Sequence, residues 1–222
     1  MSYMWNEFNI KTFPAETIVY RDGVYCPELS TLLNEPINDT YDLPIHIIYV
    51  GEIAGDNNLD ISVGTKNQKV VLSVNVKIKK PAFLNIFIKN AGKNSEIRGT
   101  VLMDNYSELT YICTAHHLYE NTGIFVKNKL IGRKNSKSKL SGTAIIDKNC
   151  SDCDSDVGFT AMVERDAKID FMPAQRISSI PISAEHSASI YKPTDAQILY
   201  LRQAGLGTIE IDNVIKEAFL QD

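Results

Sequence analysis

The sequence predicts a mainly β chain of many short strands, closed by two helices. Three observations carry this. From Leu43 onward, runs rich in Val, Ile, Thr, Tyr and Phe begin roughly every 11–14 residues, the spacing of a sandwich, a barrel or a solenoid. No apolar period of 3.6 residues precedes Pro193. The connections are polar and irregular, often with one Gly or Asn, and no Asn-Gly or Asp-Gly follows Asp22-Gly23. Sandwiches rich in hairpins use such turns between most strands. The pattern therefore leans towards stacked coils, each burying its inner face on its neighbours, and leaves the sandwich open.

Taken in order, residues 1–16 read as an arm that Trp5 and Phe8 pin to the body. Thr17 to Cys26 reads as a hairpin, because Asp22-Gly23 supplies the positive φ angles of a tight turn. Pro27 ends it, lacking a donor for the ladder. Strand runs follow at Ile45–Val50, Leu59–Val63, Lys69–Val76, Ala82–Ile88, Glu96–Met103, Leu109–Thr114, Gly123–Lys127 and Lys139–Ile146. Three more lie at Gly158–Val163, Ala167–Phe171 and Arg176–Ile182. The period then changes. Thr194-x-x-Gln197 fits a capping box behind Pro193, and Gly205 fits the left-handed residue that closes a helix. Ile211, Val214, Ile215, Ala218 and Phe219 fall at helical spacing, so 209–220 reads as an amphipathic helix. Its apolar stripe either packs on its own domain or fills a partner's groove.

Length and charge bound the function. With 222 residues, 44% apolar and 23% charged, the chain buries a core as one large domain or two small ones. A net charge of −4 disfavours nucleic acid as a partner. No apolar run approaches the ~18 residues of a membrane span. Met1 to Glu7 carries no basic region leading into an apolar one, so no secretory signal is expected. Four cysteines are too few for a disulfide framework, and a cytoplasmic, reducing setting is expected. The sequons at Asn38 and Asn149 are therefore read as chance matches.

The reactive side chains each have an ordinary reading. Cys150-Ser151-Asp152-Cys153 brings two sulfurs together, and such a pair chelates a metal or cycles as a dithiol. It supplies two of four ligands, and the nearby Asp152, Asp154 and Asp156 oppose thiolate formation, so an exposed polar turn is the simpler reading. Cys113 reads as core and Cys26 as a strand end. His116-His117 sends its rings to opposite faces of a strand and reads as a solvated turn. The basic run Lys127, Lys129, Arg133, Lys134, Lys137 and Lys139 reads as a solvated coil edge.

Three segments follow one another in order. Arg165-Asp166-Ala167-Lys168-Ile169-Asp170 forms a turn, followed by Pro173 and a strand bearing Ala184-Glu185-His186-Ser187. Tyr200-Leu201-Arg202-Gln203-Ala204-Gly205 then reads Tyr-Leu-Arg-x-x-Gly on a helix. In this order they resemble the SufB/SufD family, scaffold subunits of iron–sulfur cluster assembly. The pattern runs from Glu164 to Gly205 without a gap. Ile18 to Ser30 and Pro44 to Tyr49 also resemble family segments, so the likeness spans about residues 17–222. The resemblance is to a short member, expected to lack the helical region that precedes the core in many others.

The resemblance implies a right-handed parallel β-helix ending in two α-helices. It divides one structural domain into an arm and hairpin (1–42), a β-helix core (43–190) and a helical tail (191–222). It implies a non-enzymatic scaffold, a homodimer or a heterodimer with a paralogue, formed through the β-helices. It also implies a SufC-like ABC ATPase docked on Tyr200, Leu201, Arg202, Gly205, Ile211, Val214, Ile215 and Phe219, with no nucleic acid or membrane partner. His186 is the candidate ligand of a transient iron–sulfur cluster, with Glu185, Cys150 and Cys153 beside it, and no firmly bound cofactor is expected. Thiolates are the preferred ligands of such a cluster and imidazole is tolerated. The chain departs from both branches. The SufB branch carries Glu-His-Glu at this place and the SufD branch Cys-Ser-His-Gly. The SufB branch also has a Cys where Gly158 or Phe159 stands here. A purely structural partner is the alternative. A carbohydrate-active β-helix enzyme is a remoter one, since Asp152, Asp154 and Asp156 form the only carboxylate cluster and lack an aromatic platform.

Overall fold

One set of alternate side chains is apolar along each strand. Val70, Leu72, Val74, Val76 and Ile78 are buried, and the residues between them face outward. An extended backbone sends successive side chains to opposite faces. A strand with one apolar face must therefore cover it, and here the cover is the opposite wall of a coil. The computed structural model describes residues 16–32, 37, 39, 41, 43–180 and 182–221. The proposed anchors Trp5 and Phe8 and the sequon at Asn38 lie outside them.

The strands are β1 (Thr17–Arg21), β2 (Val24–Tyr25), β3 (Ile45–Val63), β4 (Lys69–Asn90), β5 (Glu96–Asn105) and β6 (Glu108–His117). They continue as β7 (Gly123–Gly132), β8 (Lys137–Ile146), β9 (Cys153–Val163), β10 (Lys168–Ile177) and β11 (Ile182–Tyr191). Apart from the β1–β2 hairpin, the strand pairings are parallel. The first half of β4 pairs with β5 and its second half with β6. The chain thus winds as a solenoid of about six turns rather than as a flat sheet. One wall stacks β1, the first halves of β3 and β4, then β5, β7, β9 and β11. The other stacks the second halves of β3 and β4, then β6, β8 and β10. The sandwich alternative is excluded by this register.

The expected strand spacing corresponds to half a coil. Asn67, Asn94 and Asn121 sit 27 residues apart in successive coils, each with φ near 58°, and their amides join at 3.1 and 3.0 Å. Asn tolerates the left-handed region better than other non-Gly residues. This explains why the connections use Asn without Asn-Gly hairpin turns.

Two expectations about boundaries change. The runs Ile45–Val50 and Leu59–Val63 form the single strand β3, and Lys69–Val76 and Ala82–Ile88 the single strand β4. At the corner the ladder is briefly interrupted: Gly55 takes φ 64°, the register shifts between Ile53 and Gly55, and pairing resumes after Lys79, Lys80 and Pro81. The run Arg176–Ile182 straddles a turn between β10 and β11, so His186 lies in the middle of a strand rather than after the last one. The Asp22-Gly23 hairpin forms as expected, with φ of 52° and 85°.

Both helices form where expected, α1 (Asp195–Gln203) and α2 (Thr208–Gln221). Thr194 and Gln197 make a reciprocal capping box, and Gly205 adopts φ 88° just past the first helix. Among the described residues, no helix is long and apolar enough to cross a membrane.

The interior is filled by complementary sizes. Gly142 of β8 leaves room for the Phe159 ring of β9. A Cβ there would overlap the ring and stand 3.1 Å from Val157 Cγ1. Gly142→Val should lower stability by about 1–3 kcal/mol through overpacking, read from the urea midpoint at constant m-value. An unchanged midpoint would refute this account of the glycine.

Candidate functional site

The sequence-derived site residues fall into three separate places. His186 lies in the last coil. The register sets it over Val157, which is inside, so its ring also points inward. Glu185 pairs with Asp156 and points outward. The two neighbours therefore do not share one ligand from the same face. Cys153 pairs with Ile182, four residues before His186, or ~13 Å along the strand. Cys150 and Cys153 thus sit in a corner of the coil, away from the imidazole.

Around His186 the coil is open. Below it lie Val157 and Phe159, both buried. Beyond it the solenoid ends: every residue of β10 from Met172 to Ile177 is exposed, as are Ala188 and Ile190 on β11. Gln175 donates to the Ala184 carbonyl at 3.2 Å and ties the two last strands together. Both ring nitrogens of His186 are shielded from solvent and have no protein partner. Burial lowers the imidazole pKa, and Asp156 partly opposes this. The neutral ring that results is the form that binds metal. Gly158 and Phe159, where the SufB branch carries its Cys, pair with Ser187 and Ala188 beside His186. Among the described residues, no three His, Cys, Asp or Glu side chains converge to hold a metal ion.

The thiol corner is buried, which corrects the exposed-turn reading. Cys150 and Cys153 pack with Ile146 under the half-buried Ile182 and Ala184. Cys150 is pushed up by burial and by the neighbouring Cys153. The expected solvated turn at His116-His117 is also corrected. The rings do take opposite faces, but His117 is wholly buried, its Nδ1 2.8 Å from Thr122 Oγ1. Cys113 is core, as expected.

The helical tail divides the expected docking residues. Ile211 is buried, Phe219 is buried against Ile131 and Met162 of the solenoid, and Ile215 is half-buried beside Phe219. Lys129 donates to the Phe219 carbonyl at 2.9 Å and lies over its ring, which also packs on Tyr191. A charge ladder climbs three coils to the same helix. Asp104 accepts twice from Arg133, at 2.5 and 3.0 Å; Arg133 reaches Glu164; Glu164 and Asp212 pair with Lys216. Burial pushes Glu164 up, but bonds from Lys216, Lys134 N–H and Arg133 outweigh it and hold the carboxyl below its usual range. The basic run is therefore not simply a solvated edge: Lys129 and Arg133 fasten the tail. By contrast α1 buries no residue. Tyr200, at 71% exposure, Arg202 and Gly205 face solvent, and Val214 of α2 does so partly; Leu201 is half-buried. Leu199 and Ile209 are also exposed. Neither is among the expected docking residues, because an apolar residue on a helix does not itself reveal whether its own domain covers it.

His117 gives the fold a pH dependence. Burial lowers its pKa from 6.5 to about 4, so the unfolded chain binds the proton first. Stability should fall by roughly 3 kcal/mol as pH drops from 6.5 to 4, then level off. Urea midpoints across that window should show a smaller loss in His117→Asn than in the parent. Equal losses would sink the assignment.

Comparison with curated proteins finds no match. The family model described as "SUF system FeS cluster assembly, SufBD core domain" matches residues 46–219. That span takes in the solenoid from β3 to β11, the open coil around His186 and nearly all of the helical tail. The chain belongs to the SufBD core domain family of the SUF iron–sulfur cluster assembly system.

Proposed function

We propose that the chain is a non-enzymatic scaffold subunit of a SUF-type assembly complex. It pairs through the open end of its solenoid and presents its helical tail to a SufC-like ABC ATPase. The observation that carries this reading is the uncapped last coil. Strands β10 and β11 each pair on one side with β8 and β9, and Met172, Ile177, Ile180 and Ile190 are exposed around that end. Unpaired strand edges and apolar surface of this kind are covered in stable proteins. A copy of this chain or a paralogue covers it, and the neutral imidazole of His186 then lies at the junction. There it serves as one ligand of a nascent cluster, whose remaining ligands come from the partner. The cluster is cargo, not a resident cofactor.

The tail supports the second contact by its division of labour. The anchored helix α2 packs beside α1, and α1 offers Leu199, Tyr200 and Arg202 to a partner. ATP hydrolysis belongs to that partner. The absence of a thiol at Gly158 and Phe159, beside His186, favours a second reading in which the chain completes the assembly without ligating a cluster. Anaerobic reconstitution of the dimer with iron and sulfide separates the two. Under the first reading the parent gains cluster absorbance that His186→Ala loses; under the second the parent and His186→Ala give the same absorbance.

Co-expression with a SufC-like ATPase tests the docking. The parent chain should co-purify with it, and Leu199→Asp/Tyr200→Asp should weaken binding ~10-fold or more without changing the unfolding temperature. Failure of the parent to bind would overturn the reading. Sedimentation should likewise show a dimer for the parent and a monomer for Ile180→Asp/Ile190→Asp. A double variant that stays dimeric would remove the open coil from the interface.

A further inference from the structure

In two successive coils the corner between the walls is closed by a side-chain bridge. In the lower coil the Ser95 hydroxyl, just before β5, donates to Asn90 Oδ1 at the end of β4. In the next, His117 at the end of β6 meets Thr122 just before β7 at 2.8 Å. The register carries these positions to Ile146 and Cys153 in the coil above. The Ile146 side chain has no polar atom, so no such side-chain bond forms there. The turn supplies a second sulfur instead.

Cys150 and Cys153 lie in one buried cluster with Ile146. Asn149 and Asp152, at φ 66° and 55°, bend the chain around them. Both sulfurs rest on one short segment of the coil below, Cys150 Sγ 3.6 Å from the His117 carbonyl and Cys153 Sγ 3.2 Å from that of Tyr119. A thiol is a weak donor, so these contacts hold the reduced pair only lightly. No third metal-ligating side chain converges on the pair among the described residues. On the side of the open end, the half-buried Ile182 and Ala184 of β11 pack over the cluster, so loosening of that one strand exposes the sulfurs.

We propose that Cys150 and Cys153 are a thiol–disulfide modification site, closing into an intrachain disulfide that bridges the third corner as the two side-chain bonds bridge those below it. The oxidant is a low-molecular-weight disulfide such as oxidised glutathione. One cysteine thiolate attacks it, breaking its S–S bond, forming a mixed disulfide and releasing one glutathione thiolate. The other cysteine thiolate attacks the protein sulfur of the mixed disulfide and releases the second. The two protons leave the cysteines and end on two glutathione thiols. The protein loses two electrons and the oxidant gains them. This inference does not depend on the assembly role.

The test uses the whole reduced protein, equilibrated without oxygen in glutathione buffers of increasing oxidised fraction. Samples are quenched in acid, alkylated in denaturant and read by peptide mass spectrometry. The expected product is a peptide holding both cysteines, lighter by two hydrogens than the reduced form, closed to alkylation and restored by dithiothreitol. Cys113 should remain alkylatable throughout. In Cys150→Ser and in Cys153→Ser that product should vanish. The proposal is overturned if both thiols stay alkylatable at the most oxidising poise. It is equally overturned if only glutathione adducts form, or if either sulfur is found joined to Cys26 or Cys113.

Discussion

A solenoid buries its inner face on its neighbours, so each coil depends on the one above and below it. This constraint shapes the whole chain. Between β3 and β9 it is met throughout: the inward residues of each strand sit over inward residues of the last, from Val70 through Ile97 to Ile124. Among the described residues no further coil covers β10 and β11. Residues that would be core one turn earlier, such as Pro173, Ala188 and Ile190, lie exposed. The open end follows from the architecture itself, and it is where His186 sits.

The same constraint explains the polar groups inside. A buried amide or hydroxyl must be paired, and the stacked coils provide partners at fixed intervals. Asn128 accepts from the Tyr111 hydroxyl at 2.6 Å and donates to the Gly158 carbonyl at 2.9 Å. The corner bridges Asn90–Ser95 and His117–Thr122 repeat the solution one coil apart. The Ser136 and Ser155 hydroxyls depart from this rule, and so does His186, where both ring nitrogens are shielded and unpartnered. Charge is handled in the same stepwise way outside, where Asp104, Arg133, Glu164 and Lys216 pass one contact from coil to coil and end on α2. The helical tail is thus tied to the solenoid through its second helix, while the first stays available.

Much of the local structure was legible beforehand. The Asp22-Gly23 hairpin, the capping box at Thr194 and the closing Gly205 each depend on a few adjacent residues whose backbone preferences are strong. The half-coil rhythm was visible too, because inward positions repeat as apolar residues. The corners of β3 and β4 were not, since a brief interruption of the ladder within one strand looks in sequence like a break between two strands. Nor was the burial of the cysteine pair: three nearby aspartates suggested solvent, yet alternation sends Asp154 outward and Cys153 inward.

What the sequence determined by itself was therefore local and periodic: strand, turn, cap, and the family to which their order pointed. The meeting of residues 27–31 positions apart was decided only by the register of the coils. That register separated His186 from Glu185 by face and from the thiols by distance, and it divided the tail into an anchored and a presented helix. The physical reason is that side-chain direction and cover depend on what the neighbouring turn brings opposite, and no short stretch of sequence carries that information.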